Sequence, residues 1–215
     1  NGCRALLLSL SRGYLARPPV TGATAKYYRK LEWAAATFAW LTDLVLFCFG
    51  GTLKRREKLT GRFADILSWM YLATATLRRF EAEGRKEDLP FIRWAVEYAL
   101  AQIQLGFEGI FSNLSVPILG SLFRGPVTWW WRLNAISSLP SDRLGSEIAR
   151  NLQTPGQQRD RLTAGIYVPV DPNEALGRLE NAFLLSSQAE PVFKTIKAAS
   201  REGQLPSGKP EQLVT

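Results

Sequence analysis

The side chains able to do chemistry in this chain are few, and their types restrict it sharply. There is no His among the 215 residues, which removes the commonest general base, the Ser–His dyads and nearly all zinc sites together. Cys3 and Cys48 stand in contexts unlike any metal or redox motif. Cys48 falls inside the apolar run Leu44–Phe49 and reads as a small core residue; with no disulfide framework, a reducing compartment is the default. The carboxylates Asp65, Glu97 and Glu108 read as lying on separate helices, and nothing in their spacing brings two together. Acids of this kind anchor an Arg more often than they do chemistry. No G-x-G-x-x-G and no Walker loop occurs. Gly50-Gly51 ahead of Thr52-Leu53-Lys54-Arg55-Arg56-Glu57-Lys58 would set helix-start amides beside cations, an arrangement that holds phosphate. The plainer reading is a kink and a solvated basic turn. No catalytic, cofactor-binding or metal residue is therefore assigned.

Charge points to partners instead. Lys and Arg number 27 against 19 Asp and Glu, a net +8, which favours phosphate groups, an acidic protein face or anionic lipid without choosing among them. No DNA- or RNA-binding pattern occurs, so nucleic acid is not an expected partner. Three of the seven Trp are consecutive, Trp129-Trp130-Trp131, and such rings are enriched at interfaces and membrane boundaries. Ala5–Leu10 is too short for the apolar core of a signal peptide, and the opening at Asn1 reads as the middle of a helix in a longer protein.

The elements that must carry these residues are helical nearly throughout. Leu59, Phe63, Ile66, Met70, Ala73, Leu77 and Phe80 repeat at alternating steps of four and three, one apolar stripe. Ile92, Val96, Ala99, Ile103, Gly106 and Ile110 form a second. Between them Gly84 stops one helix, and Asp88 with Pro90 starts the next. A short polar link makes the two antiparallel neighbours of roughly 20–25 residues, about 30–38 Å each. Leu31, Ala35, Phe38, Val45 and Phe49 mark an earlier helix from Thr24 to Gly50-Gly51. Its stretch Trp33–Phe49 is apolar enough to raise a membrane span, but Asp43 within that stretch and Glu32 just before it argue for a helix buried on most sides of a bundle, because a carboxylate at bilayer centre costs roughly 2.5–3.5 kcal/mol. Further starts are expected at Ser141-Asp142, at Thr154-Pro155 and at the capping pattern Asp171–Glu174, which leads a helix over Ala175–Gln188 with Leu176, Leu179 and Phe183 inward, before Pro191 starts a last helix ending near Gly203. Ile166–Val170 is the only strand-like run and reads as an extended connector. The expected fold is all-α: three or four long antiparallel helices plus shorter ones over residues 1–204, with a loose tail at 205–215.

One segment fits a solvated bundle poorly. Val116–Leu133 is interrupted by two Pro and two Gly, so it is no single spanning helix, yet its only charges are Arg124 and Arg132. Leu122, Phe123, Arg124, Trp129, Trp130, Trp131 and Arg132 are the candidate interface residues. Either they lie in a membrane interface, rings at headgroup level, or they pack on another domain or a second copy.

Pro19–Tyr28 (PVTGATAKYY), Gly50–Arg85, Asp88–Trp94 (DLPFIRW), Pro140–Leu152 (PSDRLGSEIARNL) and Asp171–Phe183 (DPNEALGRLENAF) follow one another in an order that resembles the C-terminal region of bacterial FadE-type acyl-CoA dehydrogenases. The resemblance implies a parent enzyme that oxidises fatty acyl-CoA to trans-2-enoyl-CoA in β-oxidation, with FAD as hydride acceptor and a Glu of a Glu-Gly motif as base. That motif belongs upstream of the matched region. Glu83-Gly84, Glu108-Gly109 and Glu202-Gly203 lie in the wrong part of the pattern, so no catalytic or FAD residue carries over, and no cofactor is expected on this chain alone. The chain is also similar to the extra helical C-terminal domain of very-long-chain relatives, which implies membrane attachment. The implied partners are the catalytic domain of the same enzyme, an anionic membrane surface and a second copy; the implied location is the bacterial cytoplasm, peripheral on the inner face of its membrane.

Overall fold

The computed structural model describes residues 1–116, 119–167, 169 and 171–204. Among these there is helix and no strand, as the periodicity predicts. They sort into two compact units, Asn1–Glu147 and Ile148–Thr215.

Unit one is built on three long helices, α2 (Ala25–Phe49), α3 (Glu57–Glu83) and α4 (Leu89–Asn113), preceded by α1 (Gly2–Leu10). Both apolar stripes turn inward: Leu59, Ile66, Ala73 and Leu77 of α3 are buried against Val96, Ala99, Ile103 and Ile110 of α4. The two run antiparallel, since Arg62 lies by Gly109, Ile66 by Gly106 and Trp69 by Tyr98. Gly84 ends α3 in the left-handed region at φ 65°, and Pro90 sits in the first turn of α4. Helix α2 is antiparallel to α3, tied by the Thr24 hydroxyl donating to Glu81 and by Phe38 edge-on to Phe63.

Helix α2 is less enclosed than expected. Trp33, Leu41 and Val45 are buried, but Leu46 and Phe47 face outward, Phe47 at 89% exposure. Cys48 is half-buried rather than core. The stretch Ala25–Arg55 is long and apolar enough to cross a membrane by length and composition, with 28% of its most apolar window buried. Core helices pass that test too, and α2 contributes its inner face to a packed core.

Tyr27 closes the core of unit one, its hydroxyl donating to Glu97 Oε1 at 2.7 Å. Burial, then that hydrogen bond and the Glu97 charge, hold its pKa well above the ordinary phenol value, with Arg93 opposing. Burial and Glu81 raise Tyr28 too, against Arg78. The unfolded chain releases these protons near pH 10 while the fold retains them, so the contribution is whole below about pH 10 and is lost above it. Thermal unfolding followed from pH 8 to 11.5 should show stability falling above about pH 10, less steeply in Tyr27→Phe. Equal slopes would refute the assignment.

Unit two departs further from expectation. Helix α7 (Asp142–Leu152) starts as predicted, its Leu144 N–H donating to Ser141 Oγ at 3.3 Å; it straddles the unit boundary. Thr154 opens nothing: its hydroxyl donates back to the Arg150 carbonyl, and α8 (Gln157–Leu162) begins after Gly156. Asp171 makes a turn rather than a cap, accepting from the Asn173 N–H at 2.8 Å, although α9 does begin at Ala175, as expected. Nor does Pro191 start a helix, because α9 runs unbroken from Ala175 to Arg201. Around it Glu190 pairs with Lys194 at 2.8 Å and the Thr195 hydroxyl donates to the Pro191 carbonyl, local bonds that offset part of the proline penalty. Leu176 and Leu179 are exposed instead of inward, while Phe183 is half-buried beneath Arg159. The connector and tail expected at Val168, Val170 and 205–215 lie outside the described residues.

Candidate membrane and docking surface

The aromatic segment divides into α5 (Leu119–Leu122), a wide π turn (Phe123–Val127) and α6 (Thr128–Leu133). Pro126 has no N–H to give, and the turn widens around it; the Thr128 hydroxyl donates to the Phe123 carbonyl at 2.6 Å. Gly120 is required where it is, since a Cβ there would stand 2.6 Å from the Leu114 carbonyl oxygen.

Helical geometry then sorts the seven candidates. Phe123 and Trp131, eight apart, point into the core at 2% and 3% exposure. Phe123 stacks on Trp40 and meets Phe111 at a tilt, and Trp131 meets Trp33, Phe107 and Phe111 with centroids 5.1–5.4 Å away. Leu122, Trp129 and Trp130 are exposed, Trp129 at 65%. The two cations are outside as well: Arg132 pairs with Glu108 at 3.1 Å, and Arg124 Nε donates to the Gly120 carbonyl. So two of the seven are anchors and five form a surface.

Sequence reasoning missed the residues that hold this surface in place. Buried Gln104 accepts the Ile136 N–H at 3.0 Å, and its amide donates to Glu108, fixing the chain after α6 to α4. Asn134 donates to the Trp130 carbonyl and accepts from Arg12 Nε at 2.8 Å. No motif marks a lone Gln or Asn in this role. On the other side, Trp130 Nε1 donates to Ser9 Oγ of α1 at 3.2 Å. Between α1, α2 and α6 lies a cavity of about 570 Å³ lined by Ala5, Leu6, Trp40, Val127, Trp130 and Trp131 among others. The outer side of α1 continues the apolar surface with Leu6, Leu7 and Leu10.

The carboxylates do not assemble an acid–base pair. Asp65 is exposed, Glu97 holds Tyr27 and Glu108 holds Arg132. Glu97 and Glu108 share α4 rather than occupying separate helices, eleven residues or about 16 Å apart. Among the described residues no group of His, Cys, Asp or Glu is arranged to hold a metal.

Compared with known families, residues 1–215 match the one described as acyl-CoA dehydrogenase, C-terminal, bacterial type. The chain belongs to that family. No solved structure matches it. As a C-terminal domain of an acyl-CoA dehydrogenase, it implies a catalytic domain in the same enzyme as its partner. The acyl-CoA dehydrogenase C-terminal domain thus presents an aromatic, cation-flanked surface pinned to its core by Phe123 and Trp131.

Proposed function

We propose that this domain is the non-catalytic accessory part of an FAD-dependent acyl-CoA dehydrogenase that converts fatty acyl-CoA to trans-2-enoyl-CoA in β-oxidation. In this reading it holds the enzyme on the anionic inner face of the bacterial cytoplasmic membrane, with FAD and the base carried by the catalytic domain. One observation carries the membrane role: Leu122, Trp129 and Trp130 are exposed beside Arg124 and Arg132, while their neighbours Phe123 and Trp131 are locked in the core. Rings at headgroup depth with adjacent cations suit an anionic interface, and a rigid mount lets them insert without unfolding the segment.

The test is flotation of the intact protein with vesicles of phosphatidylglycerol in phosphatidylcholine. Leu122→Ala/Trp129→Ala/Trp130→Ala should lower partitioning by on the order of tenfold or more, with Trp131 left untouched so that the fold survives. Unchanged flotation would sink the membrane role. The exposed Leu6, Leu7 and Leu10 of α1 favour a second reading, docking on the catalytic domain or another protein. Failure of Leu6→Ser/Leu7→Ser/Leu10→Ser to assemble with the catalytic domain, with flotation unaltered, would be its sign.

A further inference from the structure

The basic turn after α2 is exposed from Lys54 to Lys58, as expected of a solvated turn, and it frames an open hollow. A short 3₁₀ stretch, Gly50–Arg55, leads into α3, and a hollow of about 440 Å³ is lined there by Phe49, Arg55, Arg56, Glu57, Lys58, Arg62 and neighbouring residues of the α4 end. Four cations thus share one hollow with one carboxylate.

Two of them are held. The Arg56 guanidinium lies over the Phe49 ring, 3.9 Å from its centroid, and donates to Ser115 Oγ at 3.2 Å. Arg62 crosses α4 at Gly109, where any Cβ would stand 2.9 Å from its Nε. Among the described residues none of the four is in an ion pair, whereas Arg4 and Arg132 elsewhere in unit one reach Glu32 and Glu108. Helix α3 also starts here. Its Leu59 and Thr60 N–H groups bond to the Arg56 carbonyl, and those of Glu57 and Lys58 precede the first helical bond. Like charges held together outside any ion pair repel one another, and an anion relieves that repulsion.

We infer that the hollow formed by Arg55, Arg56, Lys58 and Arg62 is a binding site for a phosphate or pyrophosphate group. Planar guanidinium forks suit phosphate oxygens, and the helix-start amides add donors of the same sense. The group comes either from a phospholipid headgroup or from a free phosphorylated compound. This site stands apart from the aromatic surface and does not depend on the role proposed for it.

Titration calorimetry of the intact protein with sodium pyrophosphate should give one saturable site. Arg55→Gln/Arg56→Gln/Arg62→Gln should weaken it at least about tenfold, and Glu57→Gln, which removes the lone lining carboxylate, should tighten it about two- to fivefold. Arg55→Gln/Lys58→Gln, both exposed, keeps the test open if replacing Arg62 disturbs α3 on α4. Sedimentation with phosphatidylglycerol vesicles separates the sources. If the triple variant loses vesicle binding and pyrophosphate competes for it, the headgroup occupies the site; if vesicle binding is unaltered, a free compound does. No saturable pyrophosphate binding, or equal affinity in wild type and every Arg variant, overturns the site.

Discussion

Replacing Trp131 by Ala should cost unit one about 3–5 kcal/mol, while Trp129→Ala two residues earlier should change stability by no more than about 0.5 kcal/mol. The ring of Trp131 is buried among Trp33, Phe107 and Phe111, so its loss removes both apolar burial and three aromatic contacts. The adjoining cavity enlarges instead of closing, which places the cost toward the upper part of that range. For a unit of this size the melting temperature should fall by roughly 9–15 °C. Trp131→Phe separates ring from indole. The indole N–H is buried with no acceptor among the described residues, a burden of about 1–3 kcal/mol. Phe sheds that burden while giving up part of the ring, so the net change should stay within about 1 kcal/mol. Thermal denaturation of the three variants decides it. If Trp131→Ala melts with Trp129→Ala, the division of the segment into anchors and surface is wrong.

The geometry behind that division is present in the sequence, though residue type alone does not display it. Three consecutive Trp on a helix step through about 200°, so they cannot share one face. Phe123 and Trp131 are eight apart, the spacing of one stripe, but Pro126 between them argued against continuous helix. The π turn that reconciles Pro126 with the stripe leaves no mark in residue type. By contrast, the Leu59–Phe80 stripe is legible because seven apolar positions keep one repeating spacing, Gly84 stops the helix and Asp88-Pro90 starts the next. Helix α9 starts at Ala175 as its sequence predicts, but its inward face is missing for the opposite reason. Its Leu176 and Leu179 have helical spacing yet lie exposed, and nothing in the described unit covers them, so an inward face was inferred where none forms. Pro191 likewise reads as a start, because local bonds around a proline are invisible until the helix is built. At the surface, Leu122 and Trp129 were found by composition, but the clamp made by Gln104 and Asn134 depends on long-range pairs that no local pattern announces.

The seam between α3 and α4 yields a change of sign rather than a loss. A Cβ on Gly106 would stand 2.5 Å from Ile66 Cγ1 and 3.0 Å from its Cδ1. The nearer atom is next to the Ile66 branch point, so it cannot swing aside as a chain end would. Overpacking of this kind costs about 1–3 kcal/mol, against about 1 kcal/mol that Ala gains over Gly in a helix interior. Gly106→Ala should therefore destabilise by up to about 2 kcal/mol. Ile66→Ala, at a site with no exposure, should cost about 2–5 kcal/mol through the hole it leaves. In that background the obstructing atoms are gone, the new methyl group enters the hole and the helix preference remains. Gly106→Ala should then stabilise by about 1 kcal/mol, a coupling of about 1–3 kcal/mol between the two positions, the overpacking cost itself. Urea unfolding of the four proteins measures it. Additive costs would mean that the helices do not meet at this pair, and the antiparallel register that carries the whole bundle would have to be redrawn.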